Sequence, residues 1–441
     1  MGRKRNSEVR GDGCINSATS PSSTSPHSFR TRWLLCTWGT SRTWQNFALM
    51  SLFLLSVSVI LPITAVPIAA NEMHLSGDLN DDMIISEAEL ADLTLTYLSA
   101  KPGDSAHIKL DDLRESACIH KYYPRTVTDS VGRELTIYRP VERIVATGGT
   151  YGPETLCALG LQDKIVGVCE GVKKRGELNI IMADKRSVGI SCFSWDMEKV
   201  IELKPDIVLA YSYPYPVYEK QLNASNILLV RMDFHKPENY STEIQNIGEW
   251  LRVEDRACEL IDFEKHHISL IEERVQDLPP GQKPHVYFES YDDFVTYGTG
   301  SSIDPIVACG GVNIFADLPA QAVTVDSESV LVRNPEVIIK QVWAGSITSG
   351  YDVDDNDEMK MLRDRIMNRP GWDRIDAVKN GRVYILSSDA KSTHASVYYS
   401  YIARWLHPDR FEDIDPIEIH REWFEEFLDI EYRGVYAYPL Q

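Results

Sequence analysis

From residue 254 to residue 278 the chain reads EDRACELIDFEKHHISLIEERVQDL, free of glycine and proline until Pro279-Pro280. Ala257, Leu260, Ile261, Ile268, Ile271 and Val275 recur at steps of three, four or seven, the spacing of one helix face. Acids near the start and the proline pair at the end mark its boundaries. At 1.5 Å per residue the predicted rod is roughly 37 Å long, more than a helix inside one domain usually needs. Its apolar stripe breaks at Glu264-Lys265 and His266-His267, as expected of a strut that packs near each end.

The blocks on either side alternate short apolar strands with helices. Before the strut, strands are expected at 143–147, 165–169, 207–211 and 227–231, with helices at 154–161, 196–203 and 241–251. After it come strands at 285–289, 336–342 and 381–386 and helices at 302–309, 327–332 and 372–379. Such alternation predicts a parallel sheet covered by helices. A hairpin around Ser130-Val131-Gly132 precedes the first block, and residues 417–430 form an amphipathic packing helix. One unit occurs twice, as EKVIELKPDIVL from Glu198 and ESVLVRNPEVII from Glu328. In each, a proline (Pro205, Pro335) ends a helix and turns the chain into a buried strand. One copy on each side of the strut predicts two lobes of similar construction. The fold class is therefore α/β: Rossmann-like lobes at 124–252 and 280–441, bridged by one long helix at 253–279.

Residues 71–123 form a small helical module. In GDLNDDMIISEAEL, Asp78, Asn80, Asp82, Ile84, Ser86 and Glu89 fall at positions 1, 3, 5, 7, 9 and 12 of an EF-hand loop. That spacing wraps oxygens around Ca²⁺, with Ile84 giving its carbonyl and Glu89 two oxygens. Met83 stands where such loops carry glycine for the sharp turn. The loop resembles one half of a dockerin repeat; KLDDLRESACIH, from Lys109, keeps the second helix and loses the ligands.

Charge narrows the partners. The net charge is −20, and residues 1–70 hold seven basic against two acidic side chains, so the body is more acidic still. No basic stripe interrupts it, which argues against nucleic acid. Residues 1–70 read as a leader followed by the uncharged run FALMSLFLLSVSVILPITAVPIAA, a signal peptide or a membrane anchor. Either places the rest of the chain outside the cytoplasm, secreted, periplasmic or at the cell surface. Of the six cysteines after residue 70, Cys157 and Cys309 sit among small apolar residues and are expected as buried thiols. Asn223 and Asn239 head glycosylation sequons, which fit an exported protein.

Several motifs then occur in order: RIVATGGTYGPETLCALGLQDKIVGVCE, MEKVIELKPDIVLA, KPHVYFESYDDFVTYGTGSSIDPIVACGGVNIFAD, VDSESVLVRNPEVII and RPGWDRIDAVKNGRVYIL. Over residues 126–386 the chain thereby resembles the periplasmic binding proteins that serve ABC transporters of iron complexes and cobalamin. The resemblance implies partners, the permease and ATPase subunits of an importer, and places Glu198 and Glu328 at the two acids that dock on the permease. It does not name the ligand. Cleft walls are expected from loops at the strand ends, which offer Tyr151, Trp195, Tyr213, Tyr215, Tyr291 and Trp343. Lys173, Lys174, Arg175 and Lys391 are few and scattered. Such walls suit a large, weakly charged complex, a siderophore, haem-like iron chelate or corrinoid, rather than a molybdate- or tungstate-type oxyanion. His394 or a cleft tyrosine is the candidate axial ligand to its metal.

An enzyme is not expected. Gly298-Thr299-Gly300 lacks a P-loop lysine, G-x-S-x-G and H-E-x-x-H are absent, and the adjacent His266 and His267 point about 100° apart on a helix. A surface scaffold that docks on a cohesin-like partner through the N-terminal module is the reading of another class.

Overall fold

Two five-stranded sheets carry the body of the protein, one on each side of the helix Glu254–Val275 in the sequence. The computed structural model describes residues 75–100, 108–300, 303–391 and 394–440; the leader and the uncharged run lie outside them. The first sheet runs Arg186–Ser187, Ile165–Val168, Ile144–Ala146, Ile207–Ala210, Leu228–Arg231, all parallel. The second runs Val312–Asn313, His285–Glu289, Val337–Val342, Val383–Ser387, Ala437–Tyr438; only the last is antiparallel. Ile207–Ala210, Val337–Val342 and Val383–Ser387 are buried at every position, as strands covered on both faces must be.

The sequence repeat is a structural repeat. Helix Met197–Glu202 starts on Asp196, whose carboxylate accepts from the Lys199 N–H at 3.3 Å. Helix Ser327–Arg333 starts on Asp326, whose carboxylate accepts from the Ser329 N–H at 2.7 Å. Each ends at a left-handed residue, Lys204 or Asn334, directly before the proline. The strand that follows pairs with the first core strand of its own lobe.

The long helix covers 22 residues, about 33 Å, and ends at Val275 rather than 278. It packs on Pro237–Leu251 of the first lobe and on Asp304–Ala308 and Ala395–Leu406 of the second. Ala257, Leu260, Ile261, Ile271 and Val275 are buried as expected, while Ile268 is only half-buried. The break in the apolar stripe hides a contact: Glu264 is buried, and its carboxylate accepts from Ser396 N–H at 2.9 Å and Oγ–H at 2.8 Å.

Burial lifts the Glu264 carboxyl to about 8. An acid raised by folding contributes stability that is full below its unfolded value and is lost as pH climbs through about 8. Glu264→Gln keeps an acceptor for Ser396 and cannot ionise. Its melting temperature should match the parent protein near pH 5 and exceed it near pH 8.5; a variant that melts lower at the alkaline value would refute the assignment.

At the N-terminal end, Glu87–Ser99 and Leu110–Tyr122 pack as a helix pair. The module is not set apart from the first lobe. Leu75, Ile85 and Ile119 belong to the same continuous apolar core, and the Arg252 guanidinium lies 3.7 Å from the Tyr122 ring centre. The loop has the turn an EF-hand needs, since Met83 takes the left-handed φ of +67° and Asp78 accepts from its N–H at 2.8 Å. Glu89 spends one oxygen on the Leu79 N–H and the other on the Ser86 N–H and hydroxyl, capping the helix. Among the described residues no group of three or more His, Cys, Asp or Glu is placed to hold a metal ion.

Candidate ligand cleft

Parallel strands put their C-terminal ends on one edge of each sheet, and the loops leaving those ends form the site. In the first lobe, Gly149 is left-handed, and the Tyr211 hydroxyl occupies the space that a Cβ at 149 would fill. From there an aromatic row extends. Tyr151 and Tyr211 flank His235 with ring centres at 5.6 and 5.1 Å, and Phe193 meets Tyr211 at 6.3 Å and Tyr213 at 5.3 Å. Phe193 and Tyr213 are 54% and 57% exposed, so their faces are open to a ligand.

Tyr291, on the loop after His285–Glu289, answers from the second lobe. It is 43% exposed, and Ser388, Arg175 and Tyr151 all act on its hydroxyl or are acted on by it. Tyr398 couples to Tyr291 and Tyr151 as well, and its hydroxyl accepts from Gln341 at 3.2 Å. Burial, the leading cause, pushes the Tyr151 hydroxyl up to about 12 and raises those of Tyr211, Tyr291 and Tyr398. These phenols stay neutral at physiological pH. Trp343 is exposed on the loop that follows Val337–Val342.

Beneath the rings the lobes are joined by buried charge. Arg175 pairs with Glu177 and extends its Nη2 to the Asp389 carbonyl of the second lobe at 2.7 Å. Burial outweighs the Arg175 charge and holds the Glu177 carboxyl up, at about 7. His394 Nδ1 lies 3.1 Å from Glu154 Oε1, and burial followed by Arg175 drives the imidazole well below its usual range, so it is neutral. The arrangement can clamp a ligand between neutral aromatic faces. Two cations of the sequence-predicted set lie near the rings: Arg175, committed to Glu177 and to the other lobe, and Lys391, whose Nζ is 5.7 Å from the Tyr398 ring centre.

Three expected site residues are elsewhere. Trp195 and Tyr215 are 7% and 4% exposed, inside the first lobe, where Trp195 lies between Tyr215 and Tyr218 at 4.6 Å from each. Their rings belong to the buried cluster that includes Val145, Val208 and Ala210 of the first sheet. His394 is 1% exposed and packs on His420 and Trp423 at 5.1 and 5.0 Å, away from the exposed rings of the cleft. The sequence reading missed Phe193 and His235. Phe193 lies in the turn of the hairpin Gly189–Ser191 with Ser194–Trp195, whose ISCFS pattern has no clean alternation to announce it. Glu198 and Glu328 are both exposed, each the second residue of its helix.

Comparison with known proteins places the chain in company. Residues 144–390 match the family model described as periplasmic binding protein. An uncharacterized ABC transporter substrate-binding lipoprotein, YvrC of Bacillus subtilis, is 25% identical over 66% of this chain and 88% of its own. The molybdate-binding protein MolA of Haemophilus influenzae is 23% identical over 70% and 92%. A vitamin B12-binding protein of Vibrio cholerae is 26% identical over 56% and 90%. Among solved structures, the TroA-like periplasmic binding protein FepB of Veillonella parvula superposes with a TM-score of 0.62 at 24% identity, over 72% of this chain and all of that one.

Proposed function

The chain belongs to the periplasmic binding protein family, the solute-binding proteins of ABC transporters, and from that premise we propose that it captures an iron complex or a corrinoid and delivers it to an importer. The observation that carries this reading is the set of neutral aromatic rings at the strand ends, Tyr151, Tyr211, Phe193 and Tyr213 in the first lobe and Tyr291 in the second. Stacking on such rings favours a large, partly apolar ligand. A doubly charged oxyanion needs charged donors, and Arg175 has its charge answered by Glu177. Relatives bind both kinds, vitamin B12 and molybdate, so charge is the discriminator. Capture in the cleft is followed by a small closure of the lobes, limited by the long helix that packs on both. Glu198 and Glu328 then meet the permease.

The test is a titration read by tryptophan fluorescence, with cyanocobalamin, haem, a ferric catecholate and molybdate as probes. A saturable response to one of the three metal complexes is expected. Saturation by molybdate alone would overturn the ligand class.

Calcium at Asp78, Asn80, Asp82, Ile84, Ser86 and Glu89 is a separate proposal, as is a cohesin-like partner for that module. It requires Glu89 to exchange its capping bonds for the cation. Melting the same protein with calcium and with a chelator decides it: an unchanged midpoint would dispose of the cation site.

A further inference from the structure

Lys340 lies in the middle of strand Val337–Val342, between Ile339 and Gln341, and is only 2% exposed. Its ammonium has three hydrogens and spends them on three successive carbonyls, Ser290 at 2.6 Å, Tyr291 at 3.1 Å and Asp292 at 2.9 Å. Glu289 Oε1 stands 3.1 Å away and balances the charge. Arg369 closes the cage, gripping both oxygens of Glu289 at 2.6 and 2.9 Å and reaching Asp293 at 3.1 Å. The loop so gathered ends at Phe294, which holds a left-handed φ of +63°. An aromatic residue adopts that conformation only where the surroundings impose it.

Three carbonyls in a row do not turn toward one point unaided, because their dipoles repel. A cation at the focus makes the turn favourable, as a bound metal ion does in other loops. The loop carries Tyr291, the second lobe's aromatic face in the cleft. We propose that Lys340 is a positioning residue for ligand binding: its ammonium sets the conformation of residues 290–293 and thereby the placement of the Tyr291 ring. This rests on the cleft reading above for its link to affinity, but not for its statement about the loop.

The experiment has two arms. In the first, ring-labelled tyrosine NMR follows Tyr291 in the full chain and in Lys340→Met, which keeps the length and removes the charge. The Tyr291 signal should move or broaden, and in Lys340→Ala added ethylammonium should restore it. An unmoved signal overturns the proposal. In the second arm, cyanocobalamin affinity is measured for Lys340→Met, Tyr291→Ala and the double variant. Lys340→Met should weaken binding roughly tenfold, and the double variant should bind within about twofold of Tyr291→Ala alone, since a residue that acts through Tyr291 has nothing left to act on. Losses that multiply would mean an independent effect and would also overturn it. Failure of the parent protein to bind cyanocobalamin counts against the ligand class, and the first arm still decides the loop. If neither Lys340 variant folds, the lysine belongs to the lobe as a whole and the narrower role is wrong.

Discussion

Reversing both exposed acids, Glu198→Lys with Glu328→Lys, should reduce ligand uptake by roughly 100-fold or more while leaving ligand affinity unchanged, because like charges brought together at a docking surface cost several kcal/mol. The two acids occupy the same place in the two copies of one helix–proline–strand unit, so the docking proposed for them is two-sided. Each single reversal should fall between the parent and the double variant. Neither substitution strains the fold, since both side chains point into solvent at a helix start whose cap is supplied by the preceding aspartate. The measurement pairs transport into cells or vesicles carrying the cognate importer with a binding titration on the free protein. Uptake that survives the double reversal would sink the docking assignment; lost affinity would show that these acids act on the ligand instead.

Removing the Arg175 guanidinium should be the most damaging single change to stability. Arg175→Met leaves Glu177, 1% exposed, without its counter-charge, and uncompensated buried charges typically cost about 3–5 kcal/mol. It also removes the donor to the Asp389 carbonyl, so the second lobe loses a tie to the first. Arg175→Met combined with Glu177→Gln removes both charges and should recover most of the loss. Urea unfolding of the three proteins reads the effect directly. The single variant should also recover part of its stability as pH falls and the Glu177 carboxyl protonates, and this recovery should begin at higher pH than in the parent, because Arg175, which lowers that carboxyl, is gone. A double variant no more stable than the single one would mean that packing, and not charge, sets the cost.

The sheets were legible because parallel strands buried on both faces spell continuous apolar runs, and His285–Glu289 matches its predicted bounds residue for residue. The repeat was legible for the same reason, with a proline as punctuation. Helix Ala395–Leu406 was not, because ten of its twelve residues are buried; with no exposed face it has no stripe to count. The predicted tail helix divides into Pro416–Glu422 and a wider turn at Trp423–Phe427. In the site, residue type alone could not separate the ring that faces solvent from the ring that faces the core. Tyr213 and Tyr215 are two positions apart, on one loop, and only Tyr213 is exposed. His394 misled in the same way: a polar residue on a loop, its burial fixed by the distant helix that carries His420 and Trp423.

The shared core of Leu75, Ile85 and Ile119 with the first lobe has a consequence for how cargo and anchor points move. In the closure proposed above, anything held by the loop from Asp78 to Glu89 travels with Glu198, because Arg252 of the first lobe stacks on Tyr122 and reaches Cys118 of the module, while its separation from Glu328 changes. A reporter placed on that loop therefore serves as a fixed reference for the first lobe. Its distance to helix Ser327–Arg333 becomes a ruler for closure, independent of any signal from the cleft itself.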